Sequence, residues 1–305
     1  MKQTGQHVTK SPEEERAIIV GKPATRRYGA EISIHLQTSA SIGGIEGVCI
    51  PLSTGAVLTL SRVGKAPWEG GDKFICRLEG FSTAVAAEDE GRRMAAALLW
   101  TAIKSDFPVR LEYAGSEPAV VFDRTRGSGL SAGGFATVGR SAETFLQELH
   151  QTHRSMPLPD PRLLLSMEIL AGARVEASDR ARFLASVSAL EPLARQQHLG
   201  DAVSDYVAGC LVRLREVGLA DQLENSLAGR IRQLRDESVR QATQRVVKEA
   251  LPDDDTAWKS IDALYALRSQ VIHDGRPRDS DTDLQAETRR VSDILRRLYA
   301  RLLND

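Results

Sequence analysis

The sequence predicts an α+β domain, a mainly antiparallel sheet with one long helix, followed by an all-α antiparallel helical bundle. Two features of the first half and one of the second carry this. Short runs between residues 17 and 122 alternate apolar and polar, as half-buried strands do. One longer stretch, Ala86–Lys104, breaks that rhythm with helical spacing. After Pro161 almost every segment has the 3.6-residue period and ends at glycine or proline.

In chain order, residues 1–16 are polar and read as a flexible tail. An α+β domain of unknown specificity spans 17–153. Within it, Ala30–Gln37 alternates cleanly, Gly47–Leu52 and Ala56–Ser61 are short strands around a Ser-Thr-Gly turn, and Asp72–Glu79 alternates again. The helix Ala86–Lys104 aligns Met94, Ala97, Leu98, Thr101 and Ala102, and Val109–Tyr113 and Ala119–Phe122 return to strand. Ser141–His153 reads as a helix capped by Ser141. Residues 154–162, with three prolines, are the expected linker, and 163–305 the bundle.

In the bundle, Arg162–Ala173 is one helix. Ser178 caps the next, which is expected to run to about His198 and stop at Gly200, with Phe183, Leu184, Val187, Leu190 and Leu193 as its core face. Asp201–Val217 ends at Gly218. Asp221–Leu251 reads as one long helix striped by Leu223, Leu227, Ile231 and Leu234. Asp254–His273 and about Leu284–Leu303 complete the set. Short connections imply antiparallel neighbours.

Composition narrows the function classes. The chain has 305 residues, enough for two ordinary domains, and 42% hydrophobic residues, enough for packed cores. A net charge of −1 gives no global field for nucleic acid, so RNA binding would need a local patch. The three cysteines, Cys49, Cys76 and Cys210, are widely spaced and read as free thiols in a reducing compartment. With no apolar leader and no run of membrane-spanning length, the expected location is cytoplasmic, away from any membrane.

Most other candidate sites have plain readings. Gly127–Gly134 lacks the Lys-Ser/Thr ending of a phosphate loop and reads as a linker or hairpin. Asp253, Asp254 and Asp255 look like an acidic helix start. Trp68 reads as a turn-packing side chain rather than a stacking anchor for a ligand, and His35 as a structural or exposed one. His150 and His153 share a helix face but have no third metal ligand, so a solvated pair is expected.

The most informative stretch is Ala263–Gly275, ALYALRSQVIHDG, an amphipathic helix stopped at Asp274-Gly275. It carries Arg268 and, in its last turn, His273. Five residues rotate the helix by roughly 140° and advance it about 7.5 Å, so the backbones do not share a face. A long arginine and a terminal-turn histidine can still converge on one phosphate.

Three pieces, FLASVSALEPLA (Phe183–Ala194), SLAGRIRQL (Ser226–Leu234) and LYALRSQVIHDG (Leu264–Gly275), resemble in order the ApeA-like group of the HEPN superfamily, over roughly residues 161–305. The HEPN fold is a helical bundle, in agreement with the periodicity. In nucleolytic members R-x4-6-H is the active site, and Arg268-(SQVI)-His273 matches it. The resemblance implies metal-independent RNA cleavage: the 2′-hydroxyl attacks the adjacent phosphorus and leaves a 2′,3′-cyclic phosphate and a 5′-hydroxyl. It also implies a homodimer with a composite site, no cofactor, and a role in anti-phage defence or as a toxin. The residue types suit the chemistry. Imidazole moves protons near neutral pH, and guanidinium keeps its charge and forks onto phosphate oxygens.

Around the pair, Ser269 stands where many HEPN toxins have Asn, and either binds phosphate or caps the helix backbone. Asp274 either orients His273 or is an exposed acid. Glu191 matches an acidic family position, as a buried partner of the arginine or a surface residue. Arg276 and Arg278 either hold RNA backbone or lie in a solvated loop. The competing reading is a non-catalytic nucleic-acid-binding or dimerisation module, in which Arg268 bridges to Glu191 and His273 caps a helix end. The N-terminal domain would then, or in either case, engage a regulatory or target partner.

Overall fold

The computed structural model describes residues 27–37, 42–43, 49–52, 54–65, 71–105, 108–113, 117–124 and 140–304. The expected tail at 1–16, Trp68 and Gly127–Gly134 lie outside them. The architecture is α+β followed by all-α. An antiparallel sheet and a long helix form the first part, and a helical region the second.

Five strands, β1 (Tyr28–Gln37), β3 (Cys49–Pro51), β4 (Val57–Lys65), β5 (Gly71–Phe81) and β6 (Val109–Glu112), lie in the order β3-β4-β5-β1-β6. β7 (Val120–Asp123) pairs with the start of β1 and β6 with its end, so the two share one edge of β1. A separate parallel pair joins β2 (Ile42–Gly43) to β8 (Arg140–Ser141). Alternation dictates the packing: Ala30, Ile32, Ile34 and Leu36 of β1 and Phe74, Cys76 and Leu78 of β5 are buried. Against them lies α1 (Ala84–Ser105), whose alanine-rich face lets it approach closely. At Gly91 a Cβ would come within 2.6 Å of the Ala119 side chain, which is why glycine stands there.

α2 (Ala142–Ser155) packs on α1 through Phe145, Leu146 and Leu149. It corrects the expected solvated histidine pair. His153 is buried, with Nε2 3.1 Å from Glu90 Oε1 of α1. Its partner is remote in sequence, so local spacing could not reveal it. His150 lies on the same helix, its pKa lowered by burial and by nearby Arg154 and His153. His35 is also buried, 3.6 Å from Glu112, a structural position.

Residues 156–160 run without helix to α3 (Pro161–Ala173), which Asp160 caps by accepting from the Arg162 N–H. α4 (Asp179–Ser188) starts at the Ser178 cap as expected but stops about ten residues early. Pro192 lacks an N–H, and the chain tightens into a single 3₁₀ turn at Glu191–Leu193 and then extends. The expected long helix is two, α6 (Asp221–Gln233) and α7 (Val239–Ala250). Ser238 and Gln241 form a capping box that starts α7 afresh. α5 (Asp201–Glu216), α8 (Asp255–His273) and α9 (Leu284–Leu302) match expectation within a residue or two. No described helix is long and apolar enough to cross a membrane.

One buried apolar cluster runs through both parts. At the junction Trp100 of α1 meets buried Tyr299 of α9 edge-on, with ring centroids 6.2 Å apart. The Tyr299 hydroxyl is 2.7 Å from Ser166 Oγ, which itself donates to the Ala189 carbonyl. Tyr113 donates to Glu168 at 2.7 Å. Arg174 and Arg296 donate to the Ala102 and Ile103 carbonyls near the end of α1, at 3.0 and 3.2 Å.

The buried Glu90 site predicts a pH effect. The His153 imidazole against it, with help from Arg93, holds Glu90 below the usual carboxylate range despite burial. A depressed carboxylate stabilises the fold above its unfolded pKa, near 4.5, and that contribution is lost as pH falls through the folded value. Urea titrations from pH 7 to 3 should show stability falling in acid. Glu90→Gln should be less stable at pH 7 and flatter below about pH 4.5; an unchanged acid slope would rule out Glu90 as its source.

Candidate functional site

The site is built on α8. Asp254 caps its start, accepting from the Ala257 N–H at 2.9 Å and pairing with Arg297 of α9. Ala257, Ser260, Ile261, Leu264 and Val271 are buried toward α4, α7 and α9. The helix ends at His273. The Asp274 N–H returns to the Gln270 carbonyl at 2.7 Å, and Gly275 takes the left-handed conformation, φ 73°, that favours glycine.

Arg268 leaves the buried face toward the turn that Pro192 creates. Its Nη2 is 2.9 Å from Glu191 Oε1 and 3.4 Å from Ser188 Oγ. The pair is partly open, with side chains 27% and 37% exposed, so water screens it and its net stabilisation is at most about 1 kcal/mol. Arg268 Nε is buried with no hydrogen-bond partner, and no described residue bonds Nη1. The hydroxyl of Tyr265, one turn earlier, shares a hydrogen bond with Thr243 Oγ1 at 3.2 Å. Burial raises its phenol pKa. The Thr243 bond opposes this, Glu191 adds to it, and Arg268 opposes it.

His273 is exposed and makes no side-chain hydrogen bond among the described residues. It sits where a helix C-terminus favours a cation. Asp274 does not orient it but pairs with Arg278 at 3.3 Å, and the Arg278 N–H donates to Gln270 Oε1 at 3.0 Å. Ser269 and Arg276 are exposed. The structure thus brings Arg268 and Glu191 together, leaves His273 open to solvent, and places Arg276 and Arg278 in the loop just beyond it. Ser188 escaped the sequence reading, although it lies three residues before Glu191, on the same side of the turn. Among the described residues, no group of three or more His, Cys, Asp or Glu is placed to hold a metal.

A second polar concavity, about 480 Å³, is lined by Arg174, Arg182, Arg289 and Arg296 with Ser186 and Thr288. Ser186 and Ser188 point roughly 160° apart around α4, so this cavity opens on the other side of that helix. Arg182 and Arg296 are committed there to Asp179 and Asp293, at 2.8 and 3.0 Å.

Comparison with protein-family models, with curated proteins and with solved structures returns no match, so the functional reading rests on these residues.

Proposed function

We propose that the chain is a metal-independent endoribonuclease of HEPN type, with Arg268 and His273 as its catalytic pair and a homodimer completing the site. The observation that carries this is the state of Arg268. Its guanidinium is held on one edge by Glu191 and Ser188 while Nε and Nη1 lack partners among the described residues. An unsatisfied donor in a partly buried site costs free energy, and a phosphate oxygen reaching the open Nη1 edge would relieve it there. The exposed imidazole of His273 is free to deliver a proton to the leaving 5′-oxygen. One imidazole does not readily serve as both base and acid, so the second copy supplies the other. Arg276 and Arg278 then hold the RNA backbone. The activity belongs to the class used in anti-phage defence and by toxins.

A second reading is favoured by one observation, the Arg268–Glu191 pair, which partly neutralises the cation. In that case the bundle is a non-catalytic nucleic-acid-binding or dimerisation module. Incubating purified protein with RNA in EDTA separates the two. Cleavage leaving 2′,3′-cyclic phosphate ends supports the nuclease. RNA retention without cleavage, even by a confirmed dimer across diverse RNAs, supports the module.

A further inference from the structure

The helices α5 and α6 form an antiparallel hairpin that stands off the rest of the fold. Its base is closed by one antiparallel backbone bridge of His198 with Asp236, made by Leu199 N–H to the Arg235 carbonyl at 2.8 Å and by Glu237 N–H to the Gln197 carbonyl at 2.8 Å. Beyond that base the two helices pack chiefly on each other. Val207 is the one buried residue of α5, and Ala228 the one buried residue of α6.

This leaves apolar side chains uncovered. Tyr206 is 70% exposed, Val217 65%, Leu223 51% and Leu234 57%. They are not scattered. On α5, Tyr206, Cys210, Arg213 and Val217 follow 4-3-4 spacing, and on α6 so do Leu223, Leu227, Arg230 and Leu234. That is the spacing of a helix seam in a bundle. At 100° per residue, each stripe lies roughly a quarter-turn, in the same rotational sense, from the face its helix turns to the other. Because the helices run antiparallel, equal offsets put both stripes on one side of the hairpin. Val212, 53% exposed, lies off that side.

Charge says what covers this face. From Leu199 to Asp236 the hairpin holds six acidic residues and five arginines, so it is nearly neutral and suits neither a phosphate backbone nor an anionic membrane. The charges are largely sorted by end. Asp201 and Asp205 begin α5, and Arg213 and Arg215 lie in its last turn, offset in part by Glu216, its final residue. Asp221 and Glu224 begin α6, and Arg230 and Arg232 end it. None of these residues forms an ion pair among the described residues. When two such hairpins face each other about a two-fold axis, every facing pair of helices is antiparallel, and each acidic end lies beside a basic one. The face is about 24 Å long and two helices wide, on the scale of a standard half-interface.

We infer that the α5–α6 face is a self-association surface, which docks on the same face of a second copy to make an intermolecular four-helix bundle. This goes beyond the cleavage reading and does not depend on it.

The test is sedimentation of the full chain without RNA. Wild type should sediment at about twice its 33.3 kDa mass at micromolar concentration. Tyr206→Glu with Leu234→Glu, both at exposed positions, should weaken association at least ~100-fold while circular dichroism and melting temperature stay unchanged. As a second variant, joining Leu199 to Arg235 through a short glycine turn removes the hairpin where its ends already meet, and should give a folded monomer. A monomeric wild type overturns the inference, whether or not it sediments with lipid vesicles or binds another protein. So does a dimer that survives both changes, because association then lies elsewhere. Cleavage assays on the same samples stand apart: a dimer without nuclease activity sinks the cleavage reading and leaves this surface intact.

Discussion

His273→Ala is expected to abolish RNA cleavage, with a loss of about 10²- to 10⁴-fold if the imidazole moves a proton in the transition state. Arg268→Ala should cost roughly 10²- to 10³-fold, the usual range for removing a donor to developing negative charge. Stability should hardly move in either variant. His273 is exposed without a partner among the described residues, and the Arg268–Glu191 pair is open enough to be screened. The contrast separates the readings. A guanidinium that only bridges to Glu191 would give an alanine variant with the same small change in stability and no change in its handling of RNA. Glu191→Gln adds a further check. It keeps a hydrogen-bond acceptor but frees the cation, so a positioning role predicts a modest drop in kcat with RNA affinity held or improved. If both alanine variants cleave at the wild-type rate, the assignment to α8 is wrong.

Tyr299→Ala should be the most damaging single change to the fold, at about 3–5 kcal/mol. It empties a fully buried site, removes the edge contact to Trp100 and takes away the Ser166 hydroxyl's second partner. Because the apolar cluster is continuous, both parts should melt together at a lower temperature, followed by far-ultraviolet circular dichroism and tryptophan fluorescence. Tyr299→Phe should cost only about 1 kcal/mol, since Ser166 still donates to Ala189. An early transition confined to the helical signal would show that the two parts unfold separately.

Periodicity carried most of the fold. β1, β5 and α1 are legible because a half-buried strand must alternate and a helix against a sheet must repeat its apolar face. What periodicity reports is amphipathy, and it does not say what covers the apolar side. The Leu223–Leu234 stripe reads as the apolar face of one long helix, yet Leu223 and Leu234 are more than half exposed. The breaks at Pro192 and Ser238 were written in the sequence as a missing N–H and a capping box, but an apolar pattern continuing across each masked them. At the site, Glu191 was one of two open alternatives until geometry set it 2.9 Å from Arg268. Ser188 and the buried Glu90–His153 contact required tertiary structure, since their partners are distant along the chain.

The arginines that reach from the helical part to the end of α1 give the junction a direction. Arg174 and Arg296 supply donors that the Ala102 and Ile103 carbonyls would otherwise seek in water. The first part therefore borrows its helix cap from the second, while the second borrows aromatic cover from Trp100. Cutting the backbone between Met156 and Asp160 severs a covalent tie but none of these exchanges. The two fragments should behave as complementing halves of one folding unit, each a poor protein alone and competent once recombined.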